Sequence, residues 1–166
     1  MKTKDNLQAA FAGESQANRK YLVFAKKADQ EKFPQIARLF RAAAEAETIH
    51  AHAHLRNMAG IGSTLENLKT AVSGEGYEYQ TMYPEFLAVA EEEGQKAAAK
   101  YFNYALEAEK IHFDLYSAAL KALENGSDLP ERSVYVCPVC GHTVYDVAPD
   151  KCPICGVGKD QYFAVA

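Results

Sequence analysis

Apolar residues recur every three or four positions through the first 125 residues, which predicts four long amphipathic helices. Ser63 followed by Glu66 is a capping-box pattern at the start of the third helix, and Pro84 should bend that helix. Short loops make helices one and two antiparallel neighbours, and likewise helices three and four, so we expect a four-helix bundle. The four helices are expected at roughly residues 4–30, 34–59, 64–93 and 95–125.

The inward apolar stripe of each helix is interrupted near its middle by a carboxylate. In helices two and four, a histidine follows that carboxylate three residues later. Because all the interruptions fall at mid-helix, they should meet at one level of the bundle. The interrupting residues are Glu14, then Glu47 with His50, then Glu75, then Glu109 with His112.

An internal repeat relates the two halves of the predicted bundle. The segment 45–50 (EAETIH) matches the segment 107–112 (EAEKIH). Each copy also has a glutamate upstream, and the interval from Glu14 to Glu47 is only one residue shorter than the interval from Glu75 to Glu109. The sequence therefore predicts two copies of a helix pair that face each other.

The spacing of Glu47 and His50 suits metal binding, because side chains three residues apart are separated by about 60° around a helix and by one turn along it. Several uncompensated carboxylates in an apolar core would cost several kcal/mol each, and bound cations remove that cost. Two ions that are bridged by carboxylates, with one imidazole apiece, form the di-iron or di-manganese arrangement of bundle proteins. The predicted bundle contains no cysteine, which favours iron or manganese over a closed zinc site.

Glu78 breaks the symmetry of the repeat. It lies three residues after Glu75, where the first half has Ala17. An additional carboxylate would give one ion a choice of ligands. The alternative is a solvent-facing glutamate on a bent helix.

Composition narrows the class of protein. The chain has 166 residues, 48% of them apolar, and a net charge of −4, which favours a packed core and argues against a general nucleic-acid surface. We expect neither a membrane span nor a signal peptide, and we expect a cytoplasmic protein. All four cysteines follow residue 136, a distribution that argues against a disulfide-stapled secreted protein.

The cysteines form two matching knuckles, Cys137-x-x-Cys140 and Cys152-x-x-Cys155, each followed by a glycine. A tail of this size is too small to fold on an apolar core, so a metal should hold it together. Four thiolates suit either zinc or a single iron. Gly126 and Pro130 end the last helix and indicate a domain boundary. The expected domains are a bundle at 1–126, a linker at 127–133 and a knuckle domain at 134–166.

Taken together, these motifs resemble the rubrerythrin family, over essentially the whole chain. The loop from Gly60 to Ser63 is short for that family. The matching motifs are 12–17 (AGESQA), Glu47-x-x-His50, 74–79 (GEGYEY), 82–84 (MYP), Glu109-x-x-His112 and the paired cysteine knuckles.

The resemblance implies a mainly α fold, a ferritin-like four-helix bundle with a small rubredoxin-like knuckle domain. It implies that Glu47 and Glu109 bridge two iron ions, and that Glu78 and His50 exchange at one of them with redox state. Tyr21 and Tyr83 match tyrosines of the layer behind the ligands. The implied di-iron ligands are Glu14, Glu47, His50, Glu75, Glu78, Glu109 and His112. It also implies iron rather than zinc at Cys137, Cys140, Cys152 and Cys155.

The activity implied is a non-haem di-iron peroxidase of oxidative-stress defence. Hydrogen peroxide would be reduced to water with electrons that pass through the rubredoxin-type iron from a separate reductase, as in an NADH peroxidase system, or from a rubredoxin. Two other functions stay open: a ferroxidase or iron-handling protein of the ferritin kind, and a zinc-ribbon interaction module.

Helix four continues about 13 residues, roughly 20 Å, beyond His112. The tail then starts far from its own metal pair. We therefore expect electrons to cross to a partner chain in a head-to-tail homodimer, as the resemblance also implies.

Overall fold

The structure, a computed structural model, describes residues 2–165. Six helical segments come first along the chain, and three short strands follow them. The helical segments are α1 (Thr3–Gln30), α2 (Pro34–Asn57), α3 (Thr64–Tyr77), a π-helical segment (Glu78–Met82), α4 (Tyr83–Glu92) and α5 (Lys96–Glu124). The strands are β1 (Val134–Val136), β2 (Thr143–Tyr145) and β3 (Phe163–Val165), with a 3-10 turn at Lys159–Gln161 before the last. The chain divides into two compact units between Gly62 and Ser63.

The first unit is the hairpin of α1 and α2. Its interface is built on buried alanines, among them Ala25, Ala37 and Ala44, whose small side chains let the two helices approach closely. The Asn18 amide Nδ2 donates hydrogen bonds to the Ala44 carbonyl at 2.7 Å and to the Thr48 hydroxyl at 2.8 Å. These contacts fix the rotation of each helix about its axis near the candidate ligands.

The second unit begins with the predicted capping box, which is confirmed. Glu66 N donates to the Ser63 hydroxyl, and the Glu66 carboxylate accepts from Ser63 N at 2.7 Å. The sequence predicted one helix bent at Pro84. Instead, the helix changes to π geometry at Glu78–Met82 and resumes as α4, with Pro84 in its first turn. Proline lacks an N–H and clashes with the carbonyl four residues earlier, and the wider turn before it relieves both problems.

The π-helical segment accounts for the one-residue difference between the two halves. Two aromatic triplets are related by the internal repeat, and the two phenylalanine rings of each triplet are 5.6 Å apart. The first tyrosine lies seven residues after Glu14, and the second lies eight after Glu75. A π turn absorbs one extra residue, so carboxylate and tyrosine keep a common face in both halves. The triplets are Tyr21, Phe24 and Phe40, and Tyr83, Phe86 and Phe102.

Beyond α5, the tail folds as a three-stranded antiparallel sheet with the order β2-β1-β3. Tyr135 in the central strand pairs with Val144 on one side and Ala164 on the other. The mainly α fold class is confirmed. The domain limits at 126 and 134 stay a prediction, although α5 ends and β1 begins close to them.

Within residues 2–165, no helix is both long and apolar enough to cross a membrane.

Candidate metal centres

The first unit brings together three of the predicted ligands, Glu14, Glu47 and His50. One donor atom from each lies within 4.8 Å of the others. Helix α1 supplies Glu14, and one turn of α2 supplies the other two. His50 Nδ1 is 3.0 Å from Glu47 Oε2 and 3.9 Å from Glu14 Oε1. We call this group half-site 1.

The second unit forms the equivalent group from Glu75, Glu109 and His112, which we call half-site 2. Its donor atoms also lie within 4.8 Å of one another. His112 Nδ1 is 2.6 Å from Glu109 Oε2 and 3.6 Å from Glu75 Oε2. The side chain of His112 is 25% exposed, whereas that of His50 is 55% exposed, so half-site 2 is the more enclosed group.

The two carboxyl groups of half-site 2 compete for one proton. Burial, with a hydrogen bond and charge repulsion from Glu109, raises the pKa of Glu75 to about 7. Burial also opposes ionisation of Glu109, but hydrogen bonds with His112 and Glu75 outweigh it, so the pKa of Glu109 lies below its ordinary value. In half-site 1, a shared hydrogen bond raises the pKa of Glu14 and lowers that of Glu47. Each half-site therefore concentrates negative charge that a cation would neutralise.

An unsatisfied oxygen supports the fit of a cation in half-site 2. Among residues 2–165, Glu75 Oε2 is the buried side-chain oxygen that has no hydrogen-bond partner. A buried carboxylate oxygen that accepts no hydrogen bond destabilises the folded protein, so we expect a cation to bind there. Carboxylate oxygens with one imidazole suit iron or manganese.

Glu78 lies outside the three-donor group, as the first residue of the π-helical segment. Burial and then the negative charge of Glu109 raise its pKa, so its carboxyl stands near the ligands. This position is compatible with the predicted exchange role.

Tyr21 and Tyr83, the tyrosines predicted to lie behind the metal ligands, differ in their surroundings. Burial, and then the negative charges of Glu109, Glu78 and Glu75, raise the pKa of Tyr83. The Tyr21 ring packs 6.1 Å from the ring of Phe40.

The four cysteines form the third candidate site, with all four sulfurs within 4.8 Å of one another. Cys137 Sγ is 3.6 Å from Cys155 Sγ, and Cys140 Sγ is 3.5 Å from Cys152 Sγ. These distances are too long for disulfides and approach the edge of about 3.8 Å of a tetrahedron with metal–sulfur bonds of about 2.3 Å. Gly141, directly after the first knuckle, takes a φ of +82°, a left-handed conformation that favours glycine.

Sequence reasoning missed His142, which is 7% exposed beside the knuckle. Its Nδ1 is 2.9 Å from the Tyr162 hydroxyl. Burial opposes ionisation of Cys152, but hydrogen bonds from that hydroxyl and from the backbone N–H groups of Cys155 and Ile154 bring its pKa down to about 6. Cys152 is therefore the cysteine most ready to ionise, whereas burial raises the pKa of Cys140 and of Cys155. The only sequence sign of this contact was the aromatic character of the tail.

The contact between half-site 2 and the knuckle was also missed. His112 Nε2 is 3.1 Å from the Gly141 carbonyl and 3.1 Å from the Thr143 hydroxyl. The tail was expected to start far from its own metal pair, but residues 125–133 return the chain to α5, so the knuckle itself contacts His112. Gly141 directly follows Cys140, so the imidazole and the cysteine site are joined through one hydrogen bond.

Two family models match this sequence. Residues 5–120 match the model described as Rubrerythrin, and residues 135–163 match the one described as Rubrerythrin, rubredoxin-like domain.

Curated relatives match over almost the full chain. Rubrerythrin-2 of Clostridium acetobutylicum is 40% identical, with 98% of this chain and 96% of that protein covered. Nigerythrin of Nitratidesulfovibrio vulgaris is 38% identical, with 98% and 86% covered. A rubrerythrin of Porphyromonas gingivalis is 38% identical, with 93% and 85% covered.

Solved structures of nigerythrin in its fully reduced, all-ferrous state and in a partially reduced state each match with a TM-score of 0.59 and 36% identity. Each match covers 99% of this chain and 87% of that chain. These likenesses confirm the expected fold class, a ferritin-like helical part with a rubredoxin-like domain.

Proposed function

This chain belongs to the rubrerythrin family, and we propose that it is a peroxidase that reduces hydrogen peroxide to water. The family carries a di-iron site in its helical part and an iron in its rubredoxin-like four-cysteine site. The observation that carries the proposal is the pair of matched half-sites, with the cysteine knuckle hydrogen-bonded to a histidine of one of them.

We propose that half-sites 1 and 2 together hold the iron pair. Glu47 with His50, and Glu109 with His112, would each help to hold one of the ions, because each carboxylate lies beside the histidine of its half-site. Glu78 is the candidate for exchange with His50, because His50 is the more exposed of the two imidazoles. The full proposed set is Glu14, Glu47, His50, Glu75, Glu78, Glu109 and His112, with Cys137, Cys140, Cys152 and Cys155 around the third iron.

When bound, the iron pair would supply both electrons for cleavage of the O–O bond, and the thiolate iron would supply electrons singly. The chain's own residues would handle protons. Conversion of one peroxide to two waters consumes two protons, and Glu78, a carboxyl whose pKa is raised by burial, is the candidate for passing protons to the site. Tyr83, whose pKa is raised by burial and by the charges of Glu109, Glu78 and Glu75, is a second candidate proton carrier.

Electrons would enter at the cysteine knuckle. His112 is a proposed metal ligand through Nδ1, and its Nε2 meets the Gly141 carbonyl beside Cys140, which gives a short route of bonded and hydrogen-bonded atoms. The donor would be a separate reductase, as in NADH peroxidase activity, or a rubredoxin. We also propose a cytoplasmic homodimer.

A single-turnover experiment tests this function. Iron-loaded protein, reduced under anaerobic conditions, should consume about one equivalent of hydrogen peroxide for the iron pair and about half an equivalent more for the cysteine iron. The double variant Glu47→Gln, Glu109→Gln should lose this consumption while the absorbance of the ferric four-cysteine iron is unchanged. The matched control Glu45→Gln, Glu107→Gln changes the exposed glutamates of the same repeat and should behave as the unchanged protein. Unchanged peroxide with the unaltered protein would refute the proposal.

A further inference from the structure

We propose that each two-metal centre is shared between two copies of this chain. The hairpin α1–α2 of one copy would pack against α3–α5 of its partner, so that each copy supplies one half-site to each of two centres. The inference rests on the two-metal centre proposed above and adds which chain supplies each half.

Both units present large apolar side chains to solvent. On α2, Ile36 is 50% exposed and Leu39 is 69% exposed, within the same helix as His50. On α4, Phe86 is 44% exposed and Val89 is 52% exposed, along a cleft of about 430 Å³ between α4 and α5. An apolar face of this kind must be buried against another element for a helical hairpin to be stable.

Two pairs of exposed positions are equivalent under the internal repeat. Phe24, 46% exposed, corresponds to Phe86, and Leu39 corresponds to Tyr101, 60% exposed. His50 and His112 are related in the same way. The two uncovered faces are therefore matching faces of two similar hairpins, and each carries one half-site. Their natural partners are each other, as in the two halves of a four-helix bundle.

The length of the connection between α2 and α3 determines whether the two hairpins of one centre can belong to the same chain. A ferritin-like bundle needs one long connection that runs the length of the bundle. Helix α2 has 24 residues, about 36 Å, whereas the six residues between Asn57 and Thr64 reach at most about 25 Å when fully extended.

These six residues are not extended. Gly60 N donates to the Leu55 carbonyl, and Ala59 adopts a φ of +53°, so half of the connection is used in the turn that ends α2. A single copy cannot complete the ferritin-like crossover with such a segment. A second copy removes the requirement, because the connection then only has to lead from one bundle to the next.

Mixed dimers test the inference. One variant lacks half-site 1 (Glu14→Gln, Glu47→Gln, His50→Ala), and the other lacks half-site 2 (Glu75→Gln, Glu109→Gln, His112→Ala). The two are co-expressed with different affinity tags, purified through both tags and loaded anaerobically with ferrous ions. Shared centres give one complete centre per mixed dimer, about two iron ions beyond those of the cysteine sites. A homodimer of either variant should not bind these two additional iron ions.

Results that would contradict the shared centre differ from results that would contradict the proposed function. If each chain builds its own centre, the mixed dimer binds no iron pair although the unaltered protein does. Absence of any doubly tagged species would equally overturn the inference. If the unaltered protein binds no iron pair, the proposed function fails instead. Mixed dimers of chains with Glu45→Gln and His52→Ala, both exposed positions of α2, are the control and should bind two pairs.

A longer connection gives an independent test that leaves every ligand in place. Insertion of about 15 Gly and Ser residues after Gly60 lets one chain make the crossover by itself. We expect the lengthened protein to form monomers that each bind an iron pair, while the unaltered protein stays dimeric at the same dilution in light scattering. An unaltered chain that is monomeric and binds an iron pair would overturn the inference.

Discussion

Glu75 is the residue at which protons and metal compete most directly. Burial beside Glu109 raises its pKa to about 7, so below that pH a metal must displace a proton from it. We therefore predict that manganese or ferrous affinity rises with pH through about 7, and that Glu75→Gln weakens binding and flattens this rise. Anaerobic titrations between pH 6 and pH 8 measure both, with Glu45→Gln as control. Identical pH slopes for Glu75→Gln and the unaltered protein would contradict the assignment.

The raised pKa of Glu75 also determines whether the stability of the metal-free protein rises or falls with pH. Its folded-state pKa lies above the value of 4.5 expected when unfolded, so its stabilising contribution is complete below pH 4.5 and is lost as the pH rises through about 7. We predict that metal-free protein unfolds at lower denaturant concentration at pH 8 than at pH 6. Glu75→Gln should reduce this difference, and a difference of opposite sign would contradict the prediction.

Gly141 is the residue whose backbone joins the knuckle to His112. At its φ of +82°, alanine would cost about 1–2 kcal/mol, and its Cβ would also stand 3.8 Å from that of Ala108. We predict that Gly141→Ala lowers the free energy of unfolding of the iron-loaded protein by this amount. Gly13→Ala is the matched control, because Gly13 lies within α1 and a Cβ there meets nothing within 4 Å, so stability should rise by about 1 kcal/mol. Equal effects at both sites would contradict the argument.

Residue periodicity made the two half-sites predictable. Glu47 with His50, and Glu109 with His112, share a helix face for geometric reasons that hold in any α-helix. The contact of His112 with Gly141 was not predictable, because it depends on the path of residues 125–133, whose sequence does not specify a return along α5.

At the scale of elements, the π-helical segment can be tested by deletion. Its extra residue lets Glu75 and Tyr83 keep the relation that Glu14 and Tyr21 have in a regular helix. We predict that deletion of Thr81 restores the regular helical register, with a bend at Pro84, and leaves the iron-loaded protein folded with its iron pair.

The matched deletion is Ala17 in α1. No bulge is present there to absorb the change, so Tyr21 would turn by about 100° away from Phe40. We expect this variant to lose iron and to unfold at a lower temperature. Iron analysis and thermal unfolding compare the two, and equal losses would contradict the role of the π-helical segment.

The helices were predicted closely because their apolar period is long and regular. The π geometry was not, although the interval from Glu75 to Glu109 already exceeded the interval from Glu14 to Glu47 by one position. That difference shows that a residue is inserted but not whether a loop, a kink or a wider turn absorbs it. Pro84 suggested a bend, and the physical answer was a change of hydrogen-bond pattern just before it.

At the scale of the whole molecule, the helical part and the tail should depend differently on metal. The tail has three strands of three residues each and few buried apolar side chains, so its four-cysteine metal supplies much of its folding free energy. We predict that a chelator under reducing conditions makes residues 134–165 sensitive to protease while the helical circular dichroism persists. Restored iron should return protection with a red colour, and zinc should return protection without colour. A tail that resists protease without metal would contradict this.

Electron counting tests the central claim most directly, because it examines the iron pair, the cysteine iron and the peroxide reaction together. The fully reduced, iron-loaded protein is titrated anaerobically with hydrogen peroxide, and ferric thiolate absorbance is followed. Two electrons from the helical pair and one from the cysteine site predict an end point of about 1.5 equivalents per chain, with the cysteine iron fully oxidised. Peroxide that persists, or a cysteine iron that stays ferrous at the end point, would contradict the proposal.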